Sequence, residues 1–242
     1  MSEPAQRPGT LYLLPAPLGD SGIDAILPPA TRAIAARLAH FVVEHPRTAR
    51  QFLKQVGMLL PLPQVHMEIL DEHTEPQRMA QLLAPLLRGL DVGLVSEAGC
   101  PAVADPGAAL VALAHRQGIP VRPLVGPSAI LLALMASGLE GQRFAFQGYL
   151  PRQSKPRIAA IGKFERLSRS ARQTQIFIET PYRNNTLLGD LIAACAPPTR
   201  LCVAADLTLP GERVMTNPVS AWRRTELPDL DQHPAIFLLL AV

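Results

Sequence analysis

VGLVSEAGCPAVADPGAALVALAHRQGIPVRPLVG, residues 92–126, reads as a strand, a long loop, a helix and a second strand in that order. The apolar run at 92–96 predicts a strand, 106–118 predicts a helix stopped by Gly118, and 120–126 predicts the next strand. Nearly continuous apolar strands joined through a helix are the repeat of a parallel sheet covered on both faces. The loop is longer than its task requires. A tight turn takes about four residues, whereas Ser96 to Gly107 is twelve, with glycines at 99 and 107, prolines at 101 and 106, and acids at 97 and 105.

The same alternation extends both ways. Before the quoted stretch it predicts strands at 11–14, 40–44 and 64–70, with helices near 23–38, 48–57 and 76–90. After it come a helix at 128–138, a strand at 143–150, a basic helix at 154–170, a strand at 174–179, a helix at 184–195, a strand at 200–206 and a last strand at 235–242. The expected fold class is α/β, with two α/β domains at 1–120 and 121–242 and a mostly parallel sheet in the N-terminal one.

Composition narrows the class. Of 242 residues, 48% are hydrophobic and 18% charged, the balance of a folded globular enzyme. No apolar run approaches the ~18 residues of a membrane span, and the opening MSEPAQRPGT lacks the basic and apolar regions of a secretory leader. Cys100, Cys195 and Cys202 show neither disulfide nor metal spacing, which predicts a reducing cytoplasm. The net charge is only +3, so attraction to a polyanion must come from a local patch. One exists. Between Pro151 and Arg172 lie Arg152, Lys155, Arg157, Lys163, Arg166, Arg169 and Arg172 against Glu165 alone. Either this is a solvated helix face or it meets nucleic-acid phosphates. Few aromatics interleave with it, so stacking on single-stranded bases is not expected.

Ligands of open parallel sheets sit beyond the carboxyl ends of the strands. Three segments there combine glycine or proline with small residues: PAPLGD (15–20), SEAGCPAVADPG (96–107) and VGPSA (125–129). None has the spacing of a phosphate-binding loop. In this order they resemble the tetrapyrrole methylase superfamily, whose second segment reads close to S-D-A-G-x-P-x-x-x-D-P-G. Gly148 to Ser154 loosely matches a G-x-L-P-x-K-S stretch, and Glu179, Thr180, Pro181, Tyr182 and Arg183 match E-S-P-x-R. Both belong to the branch that methylates ribose 2′-oxygens of small-subunit ribosomal RNA. The resemblance implies an S-adenosylmethionine-dependent methyltransferase with its cofactor cleft between two domains, and a homodimer. Carried over position by position, the cofactor contacts would be Leu18, Ser96, Ala98, Gly99, Cys100, Val103, Ser128, Ala129, Ile178, Leu207 and Ala235.

The branch pattern E-D-T-R appears here as Glu44, His45, Pro46, Arg47. A ribose hydroxyl gains from a base in methyl transfer. Glu44 is the first candidate, with Arg47 positioning a phosphate or the carboxylate; the plain alternative is a surface ion pair one helical turn apart. Asp105 is the second candidate, against the alternative of capping a helix that starts at Pro106. His45, His66 and His73 lack metal-ligand spacing, and no metal is expected. Three readings stand: a ribosomal RNA 2′-O-methyltransferase, a methyltransferase of a tetrapyrrole or other small molecule, and a cofactor-binding protein without catalysis.

Overall fold

The structure, a computed structural model, describes residues 7–71 and 73–242. The leader reading therefore falls largely outside the described residues. The chain forms two compact units, 1–128 and 129–242.

In the first unit, strands β1 (Leu11–Leu13), β2 (His40–Val43), β3 (His66–Ile69), β4 (Val92–Val95) and β5 (Val121–Pro123) form a sheet in the order β3-β2-β4-β1-β5. Every pairing is parallel. Each face has its own core, as alternating side chains demand. Tyr12, Phe41 and Val43 pack on one side with Phe52 and Leu53. Leu11, Val42, Val92 and Leu94 pack on the other with Leu82, Leu86 and Leu110. Gly93 makes room at the centre, because a Cβ there would lie 2.8 Å from the Phe41 ring.

The helices of this unit are α1 (Ile23–Ile26), α2 (Pro29–Arg37), α3 (Pro46–Val56), α4 (Pro76–Leu82), α5 (Ala84–Leu87) and α6 (Ala108–Arg116). Two expected helices are each split in two. The 23–38 stretch breaks at Leu27 and Pro28, whose backbones are extended. The 76–90 stretch breaks at Leu83, because Pro85 has no N–H for an uninterrupted helix and crowds the turn before it. The boundary between units falls after Ser128 rather than near 120. β5 pairs with β1 and so stays with the first sheet.

The second unit holds α7 (Ala129–Ser137), β6 (Phe144–Tyr149), α8 (Ser154–Ala171), β7 (Thr174–Ile178), α9 (Asn184–Ala194), β8 (Arg200–Ala205), β9 (Arg213–Pro218), α10 (Val219–Trp222) and β10 (Ala235–Leu240). Its sheet runs β6-β7-β10-β8-β9. Only β6 and β7 pair in parallel, through the α8 crossover; the other pairs are antiparallel. Phe177, Phe237 and Leu239 meet Ile161, Leu191 and Trp222 in one core.

Candidate active site

β2 and β4 are neighbours, but the chain leaves β2 toward β3 on one side and leaves β4 toward β5 on the other. That divergence opens a crevice at their carboxyl ends. The loops lining it are pinned to each other. Ala16 N–H donates to Gly99 O at 2.9 Å, and Gly99 N–H donates to Ala16 O at 3.0 Å. A cavity of about 810 Å³ opens here, lined by 16–20 from the first loop, Glu97 and Ala98 from the second, and α3 residues including Thr48 and Phe52.

The second loop is held in an uncommon conformation. Gly99, Ala102, Ala104 and Gly107 have φ of +73°, +66°, +66° and +132°. Glycine adopts such angles freely, whereas each alanine costs on the order of 1–2 kcal/mol. Helix α6 starts at Ala108 with Gly107 before it and no side-chain cap. Asp105 is therefore not the expected cap, and its carboxylate is turned elsewhere.

It is turned toward other acids. Asp105 is pushed up to about 6, first by burial and then by the charge of Glu44. A hydrogen bond from Ser96 opposes the shift, and Glu97 adds to it. Glu97 accepts from the Thr48 hydroxyl at 2.9 Å and lies 3.2 Å from His45 Nδ1. One donor atom each from Glu44, His45 and Glu97 lies within 4.8 Å of the others, so these three could share a cation. Sequence spacing hid this, because the third member sits on a different loop from the first two. Glu44 precedes His45, the residue capping α3, so Glu44 and Arg47 do not share a helical turn. Arg47 is exposed in the first turn of α3. Burial and Asp105 raise the Cys100 thiol, which donates to Pro127 O at 3.4 Å and so stays protonated.

Of the residues expected to contact the cofactor in the first unit, Ser96, Ala98, Gly99, Cys100 and Val103 sit on this loop, and Leu18 faces it from the β1 loop. The added Cβ of a substituted Gly99 would lie 3.5 Å from Leu18. Val103 is 47% exposed. Ser128 follows β5 at the same sheet edge.

In the second unit, Ala129 opens α7. Ile178 ends β7 and pairs with Ile236, while Ala235 pairs with Ala205 at the end of β8. Ile178, Leu207 and Ala235 thus share one sheet edge. Sequence reasoning missed a polar network there. Buried Asp206, at φ +53°, lies 2.7 Å from His233 Nδ1. The Asn184 amide donates to His233 O at 2.6 Å. Glu179 accepts from Arg183 and from Thr180 N–H. Glu179 Oε2 and Asn184 Oδ1 are buried without a hydrogen-bond partner among the described residues. Only the match at Glu179 to Arg183 hinted at this site, since Asp206 and His233 are far apart in sequence.

The family model for Tetrapyrrole (Corrin/Porphyrin) Methylases matches residues 13–222. A Micromonospora olivasterospora protein named Ribosomal RNA small subunit methyltransferase I is 40% identical over 187 residues, 76% of this chain and 55% of that protein. This chain therefore spans about half the length of that relative. Proteins of the same name are 32% identical in Xylella fastidiosa strain Temecula1 (96% of this chain, 81% of that one) and 33% identical in Escherichia coli O157:H7 (88% and 72%). Among solved structures, the methyltransferase CobJ superposes with a TM-score of 0.62 at 20% identity, covering 96% of this chain and 93% of that one. At that identity the likeness bears on the fold alone.

Proposed function

Because the chain belongs to the family of tetrapyrrole (corrin/porphyrin) methylases, we propose that it methylates a ribose 2′-oxygen in small-subunit ribosomal RNA, with S-adenosylmethionine as methyl donor. The observation that carries the reading is the identity to the rRNA methyltransferases across most of the chain. The cationic surface of α8, with Lys155, Lys163, Arg166 and Arg169 exposed, supports an RNA acceptor over a small one. The acid cluster supports catalysis over mere cofactor binding.

The crevice suits the donor. Its volume of about 810 Å³ lies in the range of ligand pockets, about 300–1,000 Å³, and its wall offers backbone groups and small side chains. Leu18, Ser96, Ala98, Gly99, Cys100, Val103 and Ser128 would hold the donor in this crevice. Ala129, Ile178, Leu207 and Ala235, the contacts that the resemblance implies in the second unit, share that unit with the orphaned acceptors Glu179 Oε2 and Asn184 Oδ1, which suit a ligand bearing N–H or O–H groups. When bound, the donor supplies a methyl group already activated by a sulfonium. The protein's own task is then alignment and proton removal. Asp105, near 6, is ionised at neutral pH yet more basic than an ordinary carboxylate. It would take the proton of the attacking hydroxyl, while the donor's sulfur would leave the methyl carbon with the electron pair of their bond. Burial first, then the charges of Glu44 and Glu97, keep its basicity high, and exposed Arg47 binds a phosphate of the substrate strand. Neither role requires a metal ion.

No helix among the described residues is long and apolar enough to cross a membrane. The family resemblance adds a homodimer acting in the cytoplasm, which sedimentation velocity and fractionation test. The deciding experiment is mass spectrometry of ribosomal RNA from cells lacking the protein, followed by methylation of their small subunits with purified protein and labelled donor. The expected result is one missing 2′-O-methyl group that the protein restores. A full complement of ribose methyls would overturn the RNA reading.

A further inference from the structure

Two tyrosines stand out of the second sheet at one edge. Tyr149 is 58% exposed and Tyr182 62% exposed. β6 and β7 slip register between Phe146 and Tyr149, with Gly148 at φ +68°, and the slip sets Tyr149 opposite Ile178, the last residue of β7. The chain then turns through the 3₁₀ turn Pro181–Arg183, which holds Tyr182. The Arg183 guanidinium lies 5.6 Å from the Tyr182 ring centroid. The Glu179 carboxylate, itself 1% exposed, pairs with it and holds it in place. Tyr149 stands opposite the residue that ends β7, and Tyr182 follows in the turn just after that strand, so the fold brings both tyrosines to one corner of the sheet.

Exposed aromatic side chains gathered at one place, unlike ones scattered singly, mark an interaction site. Here their surroundings are cationic: Arg183 beneath one ring, and exposed Arg152 and Lys155 directly after β6. Rings backed by guanidinium and flanked by phosphate-binding cations are what an unstacked nucleobase recognises. A tyrosine also loses little conformational freedom in binding. The basic stretch holds few aromatics of its own; the fold supplies them from segments on either side of it. We infer that Tyr149 and Tyr182 form a stacking platform for a splayed-out base of the RNA strand, an inference that rests on the RNA reading above.

The test is fluorescence anisotropy of the full chain with small-subunit RNA fragments across a salt series. Tyr149→Ala and Tyr182→Ala should each weaken RNA binding about 5- to 100-fold, the range for loss of one stacked base. Phosphate contacts are untouched, so the slope of affinity against salt should stay constant. Phenylalanine at either position should restore affinity, and a 2-aminopurine base seated on the platform should be quenched by the wild type but not by the double alanine variant. Melting temperature and S-adenosylmethionine affinity should not change. Wild-type binding with undiminished affinity in the alanine variants overturns the platform and leaves the RNA reading standing. So does a switch from dimer to monomer without loss of RNA affinity, which would make the face a contact between copies. Phenylalanine variants as weak as alanine overturn stacking in favour of hydrogen bonding. Wild-type protein that binds neither RNA nor small subunits removes the RNA reading and the platform together.

Discussion

Asp105 shows what a single residue's surroundings decide. Its ordinary value of 3.8 is raised to about 6 in the folded protein. The folded state then holds this proton more tightly than the unfolded one, so the contribution of Asp105 to stability is fully present below about pH 4 and is lost as pH rises through about 6. Asp105→Asn should therefore stabilise the protein at pH 7, by on the order of 1–2 kcal/mol after allowance for partial exposure, and give no gain at pH 4. Urea titrations at both values check this. As the proposed base, Asp105 should place the acid limb of kcat/KM near 6. Glu44→Gln, by removing a like charge, should move that limb lower without abolishing activity; an unmoved limb would count against the assignment. At Gly99 two costs coincide. Val there strains a backbone at φ +73° and fills the crevice beside Leu18. Calorimetry should show donor binding lost. Gly99 and Asp105 were both visible in the sequence, as parts of an overlong loop. What Asp105 does was not, because Glu44 reaches it only through the β2–β4 pairing.

At the scale of an element, α8 divides its charges. In sequence Arg157 belongs with the other basic residues. In the fold its side chain is 5% exposed, 2.6 Å from Asp190, and it donates to Arg152 O at 2.7 Å. It holds α8 to α9 and cannot meet RNA. Glu165, the one acid of the stretch, also faces inward and accepts from Ala196 N–H at 2.7 Å. The outer face is thus more uniformly cationic than the sequence suggested. Arg157→Ala should cost about 3–5 kcal/mol by stranding Asp190, seen as a lower urea midpoint. Lys163→Glu with Arg166→Glu should leave that midpoint within about 0.5 kcal/mol, while weakening RNA binding and flattening its salt dependence. Strand and helix order along the chain was legible from apolar periodicity. β9 was not, because Arg213–Pro218 mixes Thr, Asn and Arg at a sheet margin and ends in proline. Such a strand is defined by the neighbour it pairs with, β8, and not by its own pattern.

For the whole molecule, two units of different construction follow one another in the chain, and the donor should stabilise them through mass action. At a hundredfold excess over Kd, S-adenosylmethionine should add about 2.7 kcal/mol to stability, visible as a rise in melting temperature, with one molecule bound per chain by calorimetry. The two sheets differ in how their strand order relates to their order of synthesis. In the second, β10 lies between β7 and β8, although residues 235–240 are made after every other strand. While they are still inside the ribosome, the pairs β6–β7 and β8–β9 can form, but each presents an unmatched apolar border where the AIFLLL segment belongs. Such borders recruit strands from other chains. The nascent protein therefore passes through an interval in which its first unit can already be complete and its second is adhesive. Chaperone demand during translation should concentrate in that interval, and ribosomes stalled just before residue 235 should carry chains that aggregate on release.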